Sequence, residues 1–473
     1  VVLRSSLYYV FSRVAAGSLS IAAISLLARA LGPIGYAHLN LAVSIAAVLV
    51  GAISGPFCQS FGRFFGVHAA KGGALHSQLV RAHIFVLSVA APLALLIEVL
   101  APVRGFSGVF FGGVVLFGAQ GLFDLSSQNS NVNQQASDYA AQAVLKGGLL
   151  VVLVLLLPLT SDPVLAALAA IILSFVAAAA LFSWRDWLQA ARVRLNRDAL
   201  RPVLRFAWPL MGVSGLAALQ QWSDRWLIAA FAGREQAGFY AATADLLAPV
   251  LLLIASTSYL TWYPKLVLAW DANEKDEVSR VAFRHLSQTV FLLLPAAAGL
   301  FAVGPSLLPL ALGPSFGATV ANLLPWLVAA GALTGFRVYV LDVSLYAMHR
   351  THLLLFSNFA MLLTMAIANA LLAGRYGALG GAWSALISAA VGVAVSAWLG
   401  RRGVPWRMAP AALLQILLAC AAILLVVKLV PGAGVAAVVF KCLAGAVAYG
   451  VVVFAFNTLG TRSLAMSILK RLI

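Results

Sequence analysis

Charge is what this chain has least of. Only 10% of its side chains are charged, against about 25% in soluble globular proteins, and the mean hydropathy is +0.99. That scarcity excludes a soluble domain. Short alternation of apolar and polar residues is missing too, which excludes a membrane β-barrel. The three cysteines, Cys58, Cys420 and Cys442, lie singly in apolar runs without disulfide or zinc spacing and read as small core residues. Enzyme signatures are absent as well. The seven histidines fall at loops or helix ends, with no H-E-x-x-H, no G-x-S-x-G and no Walker A lysine.

What is present is one apolar run after another, each about 20 residues long and so able to cross a hydrocarbon core of roughly 30 Å as a helix. Fourteen such spans are expected, from 7–30 at the start to 435–457 at the end. The tenth, at 317–347, is too long as written and is expected to start late or to break near Gly331 to Gly335. No A-x-A cleavage pattern follows the first run, which reads as a retained helix.

The chain has 31 Lys and Arg against 14 Asp and Glu, a net charge of +17. In a soluble protein that excess would point to nucleic acid; here topology explains it, and no nucleic-acid partner is expected. With the N-terminus inside, the inward loops collect most of the basic residues, including Arg63, Lys71, Arg81, Lys146, Lys265 and Arg350 and the run at 185–205. The outward loops keep Arg29, Arg104, Arg234, Arg375 and Lys428. This asymmetry is the positive-inside pattern, and it sets both termini on the cytoplasmic side. The basic run, RDWLQAARVRLNRDALRPVLR, doubles as a lipid-facing anchor and a candidate hinge.

The chain also repeats itself. At an offset of 201 residues Leu3 and Arg4 fall on Leu204 and Arg205, and Gly32 falls on Gly233. A slip of two or three residues then sets the Gly35-Tyr36 turn on Gly238-Phe239-Tyr240. Six helices separate the copies, so the repeat is parallel, an arrangement that leaves a cleft between lobes where transporters bind cargo. The expected division is an N-terminal lobe at 1–184, a basic linker at 185–205, a second lobe at 206–400, and a terminal helix pair with its tail at 401–473.

Polar residues inside the spans share faces, since positions three, four or seven apart lie on one side of a helix. Asn40, Ser44, Ala47, Gly51, Ser54 and Cys58 form one stripe; Gln120 and Asp124 stand one turn apart. Ser214, Ala218, Gln221 and Arg225 line up, with Gln220 and Asp224 beside them. Three arginines, Arg13, Arg225 and Arg337, sit inside spans, where a charge costs about 2.5 to 3.5 kcal/mol on insertion scales unless it faces a bundle interior or water. Two readings stay open. They are substrate-binding residues of a central cavity, with Gln221 and Gln120, because a guanidinium offers fixed donors to diphosphate oxygens. Alternatively they are structural ion pairs, Arg225 with Asp224 or Asp245 and Arg337 with Asp342. The acids Asp124, Asp224, Asp245, Asp342 and Glu98 are either those partners or carriers of a coupling proton or sodium ion.

Several stretches resemble the Wzx-type polysaccharide (O-antigen) flippases of the multidrug/oligosaccharidyl-lipid/polysaccharide exporter superfamily. SLLARALGPIGYAHLNLAVSIA (Ser25 to Ala46) is similar to that family's first hairpin, and FAWPLMGVSGL with SDRWLIAAFAGREQAGFYAATADLL to its seventh and eighth helices. LLLPAAAGLFAVGPSLLPLALGPSF is similar to the ninth helix. NALLAGRYGALGGAWSALIS is similar to its Tyr-Gly-x-x-Gly-Ala-Ala turn, departing from it at Gly381. The resemblance implies an all-α bundle of two pseudo-symmetric six-helix lobes, like that of multidrug-and-toxin (MATE) exporters, plus a terminal pair. It also implies alternating access, no cofactor and no catalytic residue. The implied cargo is an undecaprenyl-diphosphate-linked oligosaccharide moved from the cytoplasmic to the periplasmic leaflet of the bacterial inner membrane. Arg13 is the residue that fits a diphosphate contact, and phospholipids and polysaccharide polymerase or export machinery are the expected partners. A drug/cation antiporter and a membrane-embedded glycan polymerase or acyltransferase are the alternatives.

Overall fold

The computed structural model describes residues 2–69, 75–100, 108–192, 195–401, 403–432 and 434–462. Its elements are α-helices with short 3-10 and π stretches, and no strand occurs among the described residues. Among the described residues, thirteen helical stretches are long and apolar enough to span a membrane. The first, Val14–Gly66, holds 53 residues; as one rod it would run about 80 Å, more than twice the hydrocarbon core, so it contains two crossings. The break is Gly32, with φ 63° and ψ −179° ahead of Pro33, a left-handed conformation that a Cβ would oppose. Gly233, its partner in the internal repeat, also has positive φ (89°).

The helices are α1 (Val2–Leu49), continued by a π turn at Val50–Ser54 into α2 (Gly55–Ala69), then α3 (Leu75–Leu100), α4 (Val109–Val132) and α5 (Ala136–Leu155). Next come α6 (Pro163–Arg192), α7 (Arg197–Ala232), α8 (Arg234–Asp271), α9 (Lys275–Leu312) and α10 (Thr319–Phe336). A second π turn, Arg337–Leu341, leads into α11 (Asp342–Ala347), followed by α12 (Leu354–Tyr376), α13 (Ala378–Gly400), α14 (Pro410–Leu429) and α15 (Val435–Ala455). The tenth span thus starts late, at Thr319, and stays helical through Gly331 and Gly335; its irregularity follows them. Helices outrun the apolar runs at their basic-loop ends, because once a helix is nucleated charged residues extend it at little cost. Three placements change as a result. Lys146 lies within α5 rather than in a loop, and His83 and His285 are fully buried inside α3 and α9.

The chain forms two compact units, Val1–Ala242 and Thr243–Ile473. In the first, α7 lies antiparallel along the second crossing. Trp226 Nε1 donates to Ser44 Oγ (2.7 Å), a Cβ on Gly51 would stand 2.5 Å from Ala218 Cβ and on Gly215 3.1 Å from Ala52 Cβ, and Arg63 covers the Phe206 ring at 4.9 Å. Asn40, Ser44 and Gly51 of the small-residue stripe therefore belong to a close packing seam against α7. The basic run at 185–205 is folded into this unit: Arg81 Nη1 donates to the carbonyls of Ala190 (3.0 Å) and Ala191 (2.9 Å) near the end of α6. Asn196 N–H donates to Gln78 Oε1 (3.0 Å), and Ala190, Leu200 and Val203 join Phe57, Phe61, Leu79 and Leu125 in one apolar cluster.

In the second unit α10 and α12 pack on α13, and the terminal pair α14–α15 packs on α9 through Val303, Ile423 and Val427. Polar ties secure that pair. Lys441 Nζ donates to Ser306 Oγ (2.7 Å) and Tyr449 Oη to the Phe291 carbonyl (2.7 Å).

The Gly51 seam is testable. Gly51→Leu is expected to destabilise the protein by about 1–3 kcal/mol through overpacking. The milder Gly51→Ala should be rescued by Ala218→Gly and not by a small residue elsewhere on α7. Thermal unfolding in detergent checks both.

Candidate functional site

Two buried arginine clusters stand out, one in each unit. In the first, Asp224 and Arg225 are 6% and 7% exposed. Arg225 Nη1 meets Asp224 Oδ1 at 2.7 Å, and the Arg225 backbone N–H donates to the same oxygen at 2.8 Å. Arg225 Nε donates to Asn40 Oδ1 (2.9 Å), Nη1 also reaches the Gln221 carbonyl (3.3 Å), and the guanidinium lies 4.5 Å from the Trp222 ring centroid. Tyr240 Oη donates to Asp224 Oδ2 at 2.6 Å. Both carboxylate oxygens and several guanidinium donors are thereby satisfied, which is what a buried ion pair requires. Sequence neighbours on a helix do not normally face each other; this pair closes because Asn40 and Tyr240 hold its two members from outside α7.

In the second unit Arg337 and Asp342 are 5% and 4% exposed, with Nη1 to Oδ2 at 3.1 Å. They are five residues apart. In an α-helix of 3.6 residues per turn that spacing leaves side chains about 140° apart. The π turn supplies the missing rotation: the Asp342 N–H bonds to the Arg337 carbonyl, an i to i+5 bond that stacks one residue over the other. Arg337 Nη1 also faces Ser357 Oγ and Asn358 Oδ1, each at 3.3 Å. Ser396 Oγ donates to Asp342 Oδ1 (2.7 Å) and lies 2.9 Å from Ser357 Oγ. Gly392 leaves room for the arginine stem, since a Cβ there would be 3.0 Å from Arg337 Cδ.

Of the two readings left open by the sequence, both described arginines are thus found in ion pairs with acids of their own unit, and each pair is neutral as a whole. The Arg13 side chain lies outside the described residues. Gln221 is exposed and contributes its carbonyl; Gln120 is half-buried on α4. Asp124, half-buried one turn on, interacts electrostatically with Lys146 of α5, whose ammonium also covers the Phe175 ring at 4.8 Å. Asp245 is half-buried on α8.

Glu98 is engaged differently from the other acids. Its Oε1 accepts the backbone N–H groups of Phe110 (2.6 Å) and Phe111 (3.0 Å), and its Oε2 that of Gly108 (3.2 Å). It caps the first turn of α4, where unpaired N–H groups and the helix dipole favour a carboxylate. Sequence reasoning missed Tyr240, Ser357, Asn358 and Ser396 as site residues. Polar residues in apolar runs were the available signal for them, and their distance along the chain from the arginines concealed it. No group of His, Cys, Asp or Glu suited to a metal ion occurs among the described residues.

Residues 114–321 match the sequence profile of a family described as polysaccharide biosynthesis protein. No curated protein sequence matches the chain. Among solved structures, the lipid II flippase MurJ in an inward closed conformation superposes with a TM-score of 0.80 at 12% identity, covering 98% of this chain and 100% of that one. An inward-facing multidrug resistance MATE family transporter of the MOP superfamily gives 0.66 at 14% identity, covering 81% and 94%. A MATE protein in a straight conformation gives 0.54 at 17%, covering 85% and 94%. The fold is that of these transporters, and the profile match over residues 114–321 and the fold both agree with the resemblance drawn from the sequence.

The Asp224–Arg225 pair makes a sharp prediction. Asp224→Ala strands a buried guanidinium and should cost about 3–5 kcal/mol, whereas Asp224→Leu combined with Arg225→Met should cost clearly less than that single change. Unfolding of the purified variants in detergent measures the difference; additive losses would contradict the pairing.

Proposed function

We propose that this multi-pass membrane protein, with the fold of the exporter superfamily and a central stretch of the polysaccharide-biosynthesis family, is a flippase for a polyprenyl-diphosphate-linked oligosaccharide. It moves that lipid by alternating access from the cytoplasmic to the periplasmic leaflet of a bacterial inner membrane, with both termini inside. The carrying observation is the conjunction of the family match at 114–321 with a fold that aligns over 98% of the chain to a lipid-linked-substrate flippase. Chemistry on the sugar is not part of the reaction. The product would feed polysaccharide polymerase or export machinery.

The site charges shape the mechanism. The Asp224–Arg225 and Arg337–Asp342 pairs are neutral, so in this reading they brace their units, and the diphosphate is met by Arg13 on α1. A group of charge near minus two gains about 2.3 kcal/mol per charge per 100 mV on moving outward against an inside-negative potential. Membrane voltage can therefore set the direction without a coupling ion. Proton or sodium exchange on Asp124 or Asp245 is the competing scheme.

The test uses proteoliposomes loaded with a fluorescent undecaprenyl-diphosphate oligosaccharide, with and without an imposed potential. Wild type should expose the glycan on the far leaflet, faster when the potential favours anion exit, and Arg13→Ala should slow it at least tenfold. Equal rates for the two proteins remove Arg13 from the mechanism. A protein that leaves the glycan in place while exporting organic cations in exchange for protons would be an antiporter.

A further inference from the structure

Tyrosine is spread thinly over this chain, 11 among 473 residues, yet four of them meet at one place in the second unit. Tyr259 and Tyr263 stand one turn apart on α8 and stack on each other, with ring centroids 4.8 Å apart and planes 15° from parallel. Tyr339, in the π turn, meets Tyr259 at 5.7 Å, and Tyr346 of α11 meets Tyr263 edge-on at 6.4 Å. Tyr259 and Tyr263 rest on the apolar cluster of Leu266, Val281 and Val343 and are only half-buried, while Tyr346 is 37% exposed. Tyr259 also interacts electrostatically with the other three, so the phenol groups are neighbours as the rings are.

The hydroxyls set this group apart. Tyr240 and Tyr449 are tied down by theirs, to Asp224 and to the Phe291 carbonyl. Those of Tyr259, Tyr263 and Tyr346 form no hydrogen bond with any described residue, and none is a buried atom. A tyrosine at a membrane boundary ordinarily serves singly, its ring in lipid and its hydroxyl toward the headgroups. Four in contact, drawn from two helical segments, make a surface instead.

Stacking decides what that surface attracts. An aromatic ring is negative on its faces and positive at its edge, so a stacked pair spends faces on itself and offers C–H edges and O–H groups. An organic cation is drawn to free faces and is poorly served here. The charges that act on these phenols are the neutral Arg337–Asp342 pair and Asp271, itself met by His349 at 3.2 Å. The fitting ligand is uncharged and rich in oxygens that both donate and accept. A sugar ring has that composition, with aliphatic C–H faces to lie against the aromatic carbon. The place fits too, because α8 ends at Asp271 beside Lys275, and Tyr346 stands four residues before Arg350. Those basic connections belong to the cytoplasmic side on the positive-inside pattern, the side from which the cargo would load.

We propose that Tyr259, Tyr263 and Tyr346 form a sugar-binding surface that receives the glycan of the cargo, with Tyr339 bracing Tyr259. The inference rests on the flippase reading and deepens it: the second unit meets the sugar rather than the diphosphate.

The experiment measures binding to the purified full-length protein in detergent, by fluorescence anisotropy, of two lipids labelled at the far end of the polyprenyl chain. One is undecaprenyl diphosphate carrying a galactosyl-glucose disaccharide, and the other is undecaprenyl diphosphate without sugar. Wild type should bind the sugar-bearing lipid about tenfold more tightly or better, the worth of two or three hydrogen bonds. The triple variant Tyr259→Phe, Tyr263→Phe, Tyr346→Phe keeps the rings and should bind the two lipids within about twofold of each other. It should hold the sugar-free lipid as wild type does and unfold within about 2 °C of it, since no hydrogen bond inside the protein is lost. The proposal is overturned if the triple variant keeps the preference, or if it loses both lipids equally, which makes the surface a diphosphate or headgroup contact. Early unfolding of that variant overturns it as well, because the hydroxyls are then structural. Wild type that binds both lipids without preference removes the sugar surface and leaves the flippase reading standing; wild type that binds neither removes both.

Discussion

A charge taken into the hydrocarbon layer must bring its own solvation, and that constraint organises both units of this chain. An unpaired guanidinium at a helix centre is costly by every scale, and attraction to one acid repays the cost only when the remaining donors and acceptors are also filled. In the first unit this is done with distant residues. Asn40 comes from a helix 185 residues earlier and Tyr240 from the next helix along, so the α1–α7 seam has to close before the pair is complete. The small residues of that seam serve the same end: Gly51 and Gly215 bring the backbones near enough for side chains as short as Asn40 and Ser44 to reach α7.

The second unit solves the problem by changing the helix itself. Five residues are a poor spacing on an α-helix and a good one on a π turn, and the turn at Arg337–Leu341 sits where the pair needs it. Returning those residues to α geometry would rotate Asp342 away from Arg337 and leave both charges buried and unmatched. The ion pair therefore holds the irregular turn in place, and the turn holds the pair together. Gly392 fits the same scheme, leaving room for Met361 and for the methylenes of Arg337.

How much of this was legible beforehand follows from which signals are local. The crossings were, because apolar length is read directly from sequence; so was the odd cluster of polar residues at 220–225, and so were Asp224 and Asp342 as possible partners. Helix ends were not, since charged residues continue a helix as readily as they leave it, and Lys146, His83 and His285 were misplaced for that reason. The π turns were invisible because no residue type requires one; Arg337 and Asp342 at i and i+5 look mismatched until the turn is known. Glu98 looked like any intramembrane acid, and only the fold shows that its carboxylate meets the first N–H groups of α4.

Neutral pairs also bear on energetics. An anionic passenger approaching Asp224–Arg225 or Arg337–Asp342 would meet as much negative as positive charge, so neither pair can supply a large net attraction without first being broken, at a cost of several kcal/mol. The potential acts on the passenger without breaking anything. For a charge of minus two it amounts to about 4.6 kcal/mol per 100 mV, and with tenfold per 1.4 kcal/mol that is a bias of roughly a thousandfold between leaflets. A transporter of the proposed kind gains little from a strongly cationic interior, which would hold the diphosphate at the midplane and slow its release. On the proposed function, internally compensated arginines would leave the field to act on the cargo.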